Sequence, residues 1–540
     1  MGALSIQASG AARAAVEQHV PVLVEDKVAS RLAAKDHTLW GPEAEQEAEV
    51  RLGWVDAAAV SRPLVAQILQ LRDELRAEGV TRIVLAGMGG SSLAPEVISD
   101  TAGVELTVLD STDPQQVRAA LDERLAETAL VVSSKSGSTV ETDSQRRIFE
   151  QAFTAAGLDA ASRIIVVTDP GSPMDASARE AGYRAVFNAD PNVGGRYSAL
   201  TAFGLVPTGL AGVDIETLLD DAEEAAEILA DDDPDNIALA LGAVLGGTDP
   251  LRDKIVLLDE ASGIVGFADW AEQLIAESTG KLGTGVLPVV VGESAPEASF
   301  DAPDVLVIRL VSAEAEVDLA GNEAAVSGTL GSQLLLWEAA TAVAGRLLGI
   351  NPFDQPDVEA AKNAARGLLD AQPETPAPLA VDHAVEIRAN GDWLGGAETV
   401  EGAIRALLGT LDANGYLSVQ AYLDRFGQAE LESLRPELAT AARRPVTFGW
   451  GPRFLHSTGQ FHKGGPAVGA YLQITAAAAE DLAIPERPFT FGELIAAQAA
   501  GDAQVLADHG RPVLRLHLRD REAGTAQLLQ AVSALSGGKR

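Results

Sequence analysis

The chain has 540 residues, no cysteine and a formal net charge of −38. That length holds several domains with large apolar cores, and the acidic balance argues against nucleic acid bound across the general surface, although a local basic pocket for one phosphate is compatible with it. Without cysteine, disulfides and thiolate metal sites drop out of consideration. The first residues, Met1-Gly2-Ala3-Leu4-Ser5, lack the basic region and apolar run of a signal peptide, and no charge-free apolar stretch is long enough to span a bilayer. A soluble cytoplasmic protein without a membrane partner is therefore expected.

From about residue 10 to 75 the pattern is helical and polar, punctuated by Gly53-Trp54-Val55 and Arg62-Pro63-Leu64, and suggests scaffold. Strand and helix patterns then alternate to about 210, with strands at 83–85, 106–109, 130–132, 164–167 and 185–187. Alternation of this kind predicts a doubly wound parallel sheet. Helical sequence follows from Leu218 to Leu229 and again to Leu245, broken by Asp231-Asp232-Asp233-Pro234-Asp235, which is either a solvated loop or a metal site. A second alternating block runs from about 250 to 370, with strands at 254–258, 287–291 and 305–308 and a helix over 267–275.

The Pro, Glu and Ala run at 371–377 has the composition of a linker. Beyond it a third α/β block is expected, with strands at 416–422, 471–475 and 513–518 and a helix over 493–500. Between its first two predicted strands lies a dense polar stretch from Gly449 to Pro466 that holds His456, His462 and Lys463. Loops this rich in His, Lys and Gly carry either a function or tight turns. The division expected is a helical N-terminal segment (1–75), a first α/β domain (76–210), a second (211–370) and a C-terminal α/β domain (371–540).

The hydroxyl-rich run Ser133-Ser134-Lys135-Ser136-Gly137-Ser138-Thr139 sits where a buried strand gives way to the helix that begins at Val140. Unpaired N–H groups at a helix start carry about half a positive charge, and Ser and Thr hydroxyls donate to phosphate oxygens, so this is a candidate anion site. The plainer reading is an N-cap in a polar turn. Upstream, Gly87-Met88-Gly89-Gly90-Ser91-Ser92 follows another strand. With Asp110 closing the next strand it invites comparison with a dinucleotide fingerprint, but Ser92 stands where the third glycine belongs. A phosphate monoester held by both loops accounts better for the hydroxyls.

Glu277 lies near the end of the helix that starts at Phe267, followed at once by Ser278-Thr279-Gly280-Lys281. It suits a base that removes a proton beside a carbonyl, or it is a solvated helix-terminal carboxylate. Arg196, on the Gly-flexed loop Gly194-Gly195-Arg196-Tyr197-Ser198, offers five donors and a fixed charge to an oxyanion or phosphate, or forms a surface ion pair.

These segments, together with Asn351-Pro352-Phe353-Asp354-Gln355-Pro356-Asp357 and the following run to Lys362, resemble the successive motifs of the glucose-6-phosphate isomerase family. The resemblance covers roughly residues 80 to 365, in the family's order. The whole chain is similar to the form that elsewhere occurs fused behind a transaldolase, and is expected here without that part.

The resemblance implies two sugar-isomerase domains at the core and phosphate held at Ser91, Ser134, Ser136 and Thr139, with Gly90 allowing close approach and Lys135 nearby. It also implies Glu277 as the base that works through a cis-enediol, Arg196 beside the enediolate, and Gln355 and Lys362 as the late Gln and Lys, the Lys assisting ring opening. No metal or organic cofactor, a phosphosugar substrate and a homodimer are expected with it. Within the fold, a non-catalytic sugar-phosphate sensor and an isomerase of another phosphosugar, such as mannose 6-phosphate, are the alternatives.

The family takes a ring-opening histidine from a neighbouring subunit, from a position between the Glu and the late Gln. No histidine occurs here between His37 and His383, and the run Gly321 to Gly328 offers none. His456 or His462 is the expected replacement, reaching the crevice of its own or a partner subunit, unless that loop only shapes a domain contact.

Overall fold

A computed structural model describes residues 4–122, 124–300, 302–371 and 377–537. Three sheets organise it. The first contains β2 (Arg82–Gly87), β3 (Thr107–Leu109), β4 (Thr128–Ser133), β5 (Ile164–Thr168) and β6 (Ala185–Asn188), all parallel, in the order β3-β2-β4-β5-β6. Every residue of β2, β4 and β5 is buried, as β-branched runs must be when helices cover both faces.

The second sheet contains β7 (Lys254–Glu260), β8 (Leu287–Val291), β9 (Val305–Val311) and β10 (Glu323–Ser327) in parallel. It also takes in β1 (Ser5–Ala8), antiparallel to β10 with Ser5 opposite Ser327, giving the order β1-β10-β9-β7-β8. The Ser5 and Ser327 hydroxyls meet at 2.8 Å, and Ala11 N–H donates to Asn322 Oδ1 at 2.9 Å. The segment from Gly321 to Gly328, which offers no histidine, is thus largely strand β10. Its short Glu-Ala-Ala-Val-Ser run carries no period-2 signal, so the sequence does not announce this strand.

The third sheet runs β11-β12-β16-β15-β13-β14, from β11 (Ala380–Asp382), β12 (Val385–Ala389), β13 (Tyr416–Tyr422), β14 (Val446–Trp450), β15 (Gly469–Ala476) and β16 (Val513–Leu518). Strands β13 to β16 are parallel, and β11 and β12 are added antiparallel. The linker expected over 371–377 lies, at 372–376, outside the described residues.

One apolar core joins the first two sheets with the N-terminal helices, among them Ala57–Ala77. The third sheet has its own core and meets the others through two seams: Phe491 and Leu494 pack with Ile148 and Phe149, and Tyr416, Phe461 and Tyr471 pack with Val256, Leu258 and Val289. Ion pairs close the first seam, where Glu96 of the helix Leu93–Thr101 takes both Arg425 and Arg453. Arg453 also stands 3.1 Å from the buried Asp110, so the carboxylate that invited a nucleotide reading serves this junction. In the acidic run, Asp232 accepts from the N–H and hydroxyl of Ser30. Among the described residues no helix is long and apolar enough to cross a membrane.

Candidate active site

Strands β2 and β4 are neighbours with Gly87 in register with Ser133, so the loops that follow them open side by side at the carboxyl ends of the sheet. After β2 the chain turns through Gly89–Ser91 into the helix Leu93–Thr101. After β4 the hydroxyls gather: Ser134 Oγ lies 3.0 Å from Thr139 Oγ1, Ser136 Oγ lies 2.9 Å from Ser138 Oγ, and Gly137 N–H donates to Ser134 Oγ at 3.2 Å. Thr139 is the N-cap of the helix Val140–Ala155 and makes no side-chain cap bond, which leaves the first-turn N–H groups facing the loop without that partner. Lys135 turns away from these hydroxyls; its ammonium reaches Asp169 Oδ2 at 2.6 Å and Pro191 O at 3.1 Å.

Gly90 backs directly onto the turn Gly195–Tyr197. A Cβ on Gly90 would stand 1.9 Å from Gly195 O, so only glycine lets the two loops approach. That turn delivers the buried Arg196. Its Nε donates to Ser278 Oγ at 2.7 Å, Nη1 donates to Gln355 Oε1 at 2.9 Å, and Nη2 donates to Pro352 O at 2.8 Å and Asp354 O at 3.2 Å. The same Nη1 stands 3.4 Å from Glu277 Oε1.

Glu277 is on the last turn of the helix Phe267–Thr279, with a little of its carboxylate left open. One turn earlier on the same face, Gln273 Nε2 donates to Glu277 Oε2 at 3.1 Å and to the backbone oxygen of His456 at 2.6 Å. Just past the helix end, Lys281 Nζ donates to Asn351 O at 2.6 Å, Asp354 O at 2.5 Å and Asp354 Oδ1 at 2.6 Å. Burial, joined by the nearby Arg196 charge, holds the Lys281 pKa down to about 8 against the pull of Asp354.

The two loop histidines part company. His456, in the turn Arg453–His456, points Nε2 at Glu141 Oε1, 3.1 Å away, and Gln498 Nε2 donates to the same oxygen at 2.7 Å. Burial pushes the Glu141 carboxyl up, but the hydrogen bond and charge of His456, with the charge of Lys362, overcome it and hold the group below its ordinary value. Lys362 is exposed, on the helix Val358–Ala371.

His462 is not in this crevice. It lies fully buried in the third block, with Nδ1 2.9 Å from Tyr416 Oη and Nε2 3.3 Å from Ser418 Oγ, and burial pushes its pKa well down, so the ring is neutral. Its helix, Gly459–Gly464, turns this side chain back toward β13.

The residues brought together are therefore Ser134, Ser136 and Thr139 at one loop, Gly90 against the Arg196 turn, Arg196 with Glu277 and Gln355, and His456 beside Glu141. Ser91 is buried in the turn beside them. Sequence reasoning assigns no role to Gln273, Glu141, Ser278 and Lys281. Gln273 is discoverable as the residue one helical turn before Glu277, and Glu141 as an acid in the first turn of a helix.

The phosphoglucose isomerase family profile matches residues 73–278. A probable glucose-6-phosphate isomerase of Haloarcula marismortui is 31% identical over 339 residues, spanning 53% of this chain and 78% of that protein. The glucose-6-phosphate isomerase of Synechococcus elongatus is 30% identical over 393 residues, 62% of this chain and 74% of its own. Among solved structures, a hypothetical protein from Thermus thermophilus superposes with a TM-score of 0.56 at 24% identity, covering 67% of this chain and 99% of that one. A glucose-6-phosphate isomerase from Chlamydia trachomatis gives 0.51 at 21%, covering 60% and 79%. At those identities the structural likeness is one of fold.

Proposed function

The chain belongs to the phosphoglucose isomerase family, and on that premise we propose that it interconverts D-glucose 6-phosphate and D-fructose 6-phosphate by moving one proton between C2 and C1 through a cis-enediol. The observation that carries this reading is the Glu277 carboxylate 3.4 Å from the Arg196 guanidinium, beside two hydroxyl-bearing loops at the carboxyl ends of one sheet.

Each group has a task in that reaction. Ser91, Ser134, Ser136 and Thr139 hold the phosphate with the help of the helix start, while Gly90 lets the loops close and Lys135, ion-paired to Asp169, braces the loop from its flank. The phosphate is remote from the reacting carbons, and its binding energy fixes C1 and C2 against the base. His456 gives a proton to the ring oxygen as the bond from C1 to that oxygen breaks, and the C1 hydroxyl releases its proton to solvent as the C1 carbonyl forms, with Lys362 assisting. Glu277 then takes the proton from C2 as electrons move to the C1 carbonyl oxygen, the C2 hydroxyl proton passes to that oxygen, and Glu277 returns its own proton to C1 as the C2 carbonyl forms. Arg196 faces the oxygens on which negative charge develops, and Gln355 orients Arg196. His462 has no part, because both its ring nitrogens are engaged within the third block.

A sensor reading is not favoured, since a regulator has no use for a carboxylate held between Gln273 and Arg196. We further place the protein in the cytoplasm as a homodimer and divide it at residues 75, 210 and 370. The test is an assay of the purified chain with glucose, fructose and mannose 6-phosphates in deuterium oxide. Interconversion of the first two with deuterium entering at C1 or C2 is expected. Turnover of mannose 6-phosphate alone would move the assignment to another phosphosugar.

A further inference from the structure

The polar stretch from Gly449 to Pro466 contributes more than His456. Gln460, fully buried on the short helix Gly459–Gly464, spends its amide on two other elements. Its Nε2 donates to Gly280 O at 2.9 Å and to Asp357 Oδ2 at 2.7 Å, while its Oε1 accepts from Asp357 N–H at 2.9 Å. Gly280 caps the helix that carries Glu277, and Asp357 immediately precedes the helix that carries Lys362. The neighbouring contacts clamp the same place. A Cβ on Gly280 would stand 2.4 Å from Phe461 Cα, and Gly283 N–H donates to Gly464 O at 2.9 Å.

We infer that Gln460 is a positioning residue: it ties the end of the Glu277 helix to the start of the Lys362 helix and so sets the separation of the two groups. It touches neither group and acts through the backbone at Gly280 and through both the backbone N–H and the carboxylate of Asp357. Both amide hydrogens and the amide oxygen are committed, which fixes the direction as well as the distance of the tie. The C-terminal block thereby serves as the template on which two halves of the site are registered. The inference rests on the isomerase reading above for what the two groups do.

The test uses the full chain in three variants. Gln460→Met keeps the volume and removes the tie; Asp357→Ala removes the carboxylate strand of its far end and leaves the backbone N–H; Asp357→Asn keeps an acceptor oxygen for Gln460. A small displacement of reacting groups is felt mainly in the chemical step, so kcat is expected to fall about tenfold in Gln460→Met and Asp357→Ala with KM for fructose 6-phosphate within about twofold. Asp357→Asn should stay within about threefold of the parent, and the Gln460→Met, Asp357→Ala double variant should lose no more than the larger single one. Independently of activity, backbone amides at the start of the helix Val358–Ala371 should exchange faster in Gln460→Met while those of the helix Arg521–Gly537 do not.

Unchanged kcat in Gln460→Met, an equal loss in Asp357→Asn, or faster exchange spread over the whole chain would each overturn the inference. If Gln460→Met does not fold, the contrast between Asp357→Ala and Asp357→Asn decides it. A parent protein without isomerase activity would instead defeat the functional reading, leaving the exchange experiment to judge the tie.

Discussion

Nε2 of His456 and Oε1 of Glu141 stand 3.1 Å apart across 315 residues of chain, joining the C-terminal block to the helix that leaves the hydroxyl loop. The contact fixes the orientation of the ring that the isomerase reading makes the proton donor to the ring oxygen. His456→Asn should lower kcat by about a hundredfold, the low end of what loss of a general acid costs. Glu141→Gln should lower it too, by weakening the contact that holds the His456 ring in place. His462→Phe should leave kcat unchanged, because the neutral His462 ring serves the Tyr416 cluster.

Glu277→Gln keeps the size of the side chain and its contact with Gln273 but removes the base. Turnover should fall by roughly 10² to 10⁴-fold while the substrate still binds with similar affinity. Titration calorimetry with fructose 6-phosphate checks the second half; weakened binding with turnover intact would contradict the role.

The hydroxyl loop should behave in the opposite way. Ser134→Ala and Thr139→Ala each remove a donor to a charged oxygen and also break the bond the two share, so KM should rise about tenfold or more with kcat little changed. Gly90→Ala is expected to damage both constants, because its new methyl cannot coexist with Gly195 O and must push the Arg196 turn aside.

Lys281 makes activity and stability respond oppositely to alkali. Its pKa falls from 10.5 in a free lysine to about 8 in the fold, so above about 8 the folded chain gives up this proton while the unfolded chain still binds it. More protons on the unfolded state means that this group's contribution favours folding increasingly as pH rises from about 8 toward 10.5. Yet the neutral amine has only two hydrogens for the three oxygens it holds, and the loop carrying Gln355 loosens. Isomerase rate should decline through about pH 8 with no matching fall in the melting temperature. Lys281→Met should show a lower rate that is flat across that interval.

Glu96 governs the acid side. Burial raises its carboxyl pKa, but the charges of Arg453 and Arg425 outweigh that and bring it from 4.5 down to about 2. A depressed carboxyl pKa stabilises the fold fully above 4.5, and this contribution disappears as pH falls to about 2. Glu96→Gln should therefore lower stability at neutral pH and flatten its loss in that acid window, measured by urea unfolding at a series of pH values.

Much of this is legible from residue order. Runs such as Ala129-Leu130-Val131-Val132 and Ile164-Ile165-Val166-Val167 are buried on both faces, so they announce parallel strands without needing a partner to be known. Glu277, Arg196 and the hydroxyl loop stand out because each sits at the end of an element or on a Gly-flexed turn. The histidines are harder. His456 and His462 fall on either side of a break between two short turns of helix, so no periodicity relates their directions, and only tertiary packing sends one to Glu141 and the other to Tyr416. Gln460 is beyond reach for a similar reason: two of its three contacts, at 280 and 357, are to backbone atoms, which carry no signature in the side-chain pattern, and the third is to a carboxylate 103 residues away. Lys135 looks like a phosphate ligand because it is flanked by serines, but Asp169 at the end of β5 draws its ammonium sideways.

Strand β1 covers what is otherwise the open flank of β10, pairing residue for residue from Ser5 with Ser327 to Ala8 with Ala324. Stripped of it, β10 would present a row of free N–H and C=O groups on the small, uncharged run Ala324-Ala325-Val326-Ser327, a ready template for a strand from another molecule. Residues 5–8 thus move the edge of the sheet outward to a strand of only four residues, a poorer template for strand-on-strand aggregation. Trimming them is predicted to produce aggregation, seen by light scattering, while every catalytic group keeps its place.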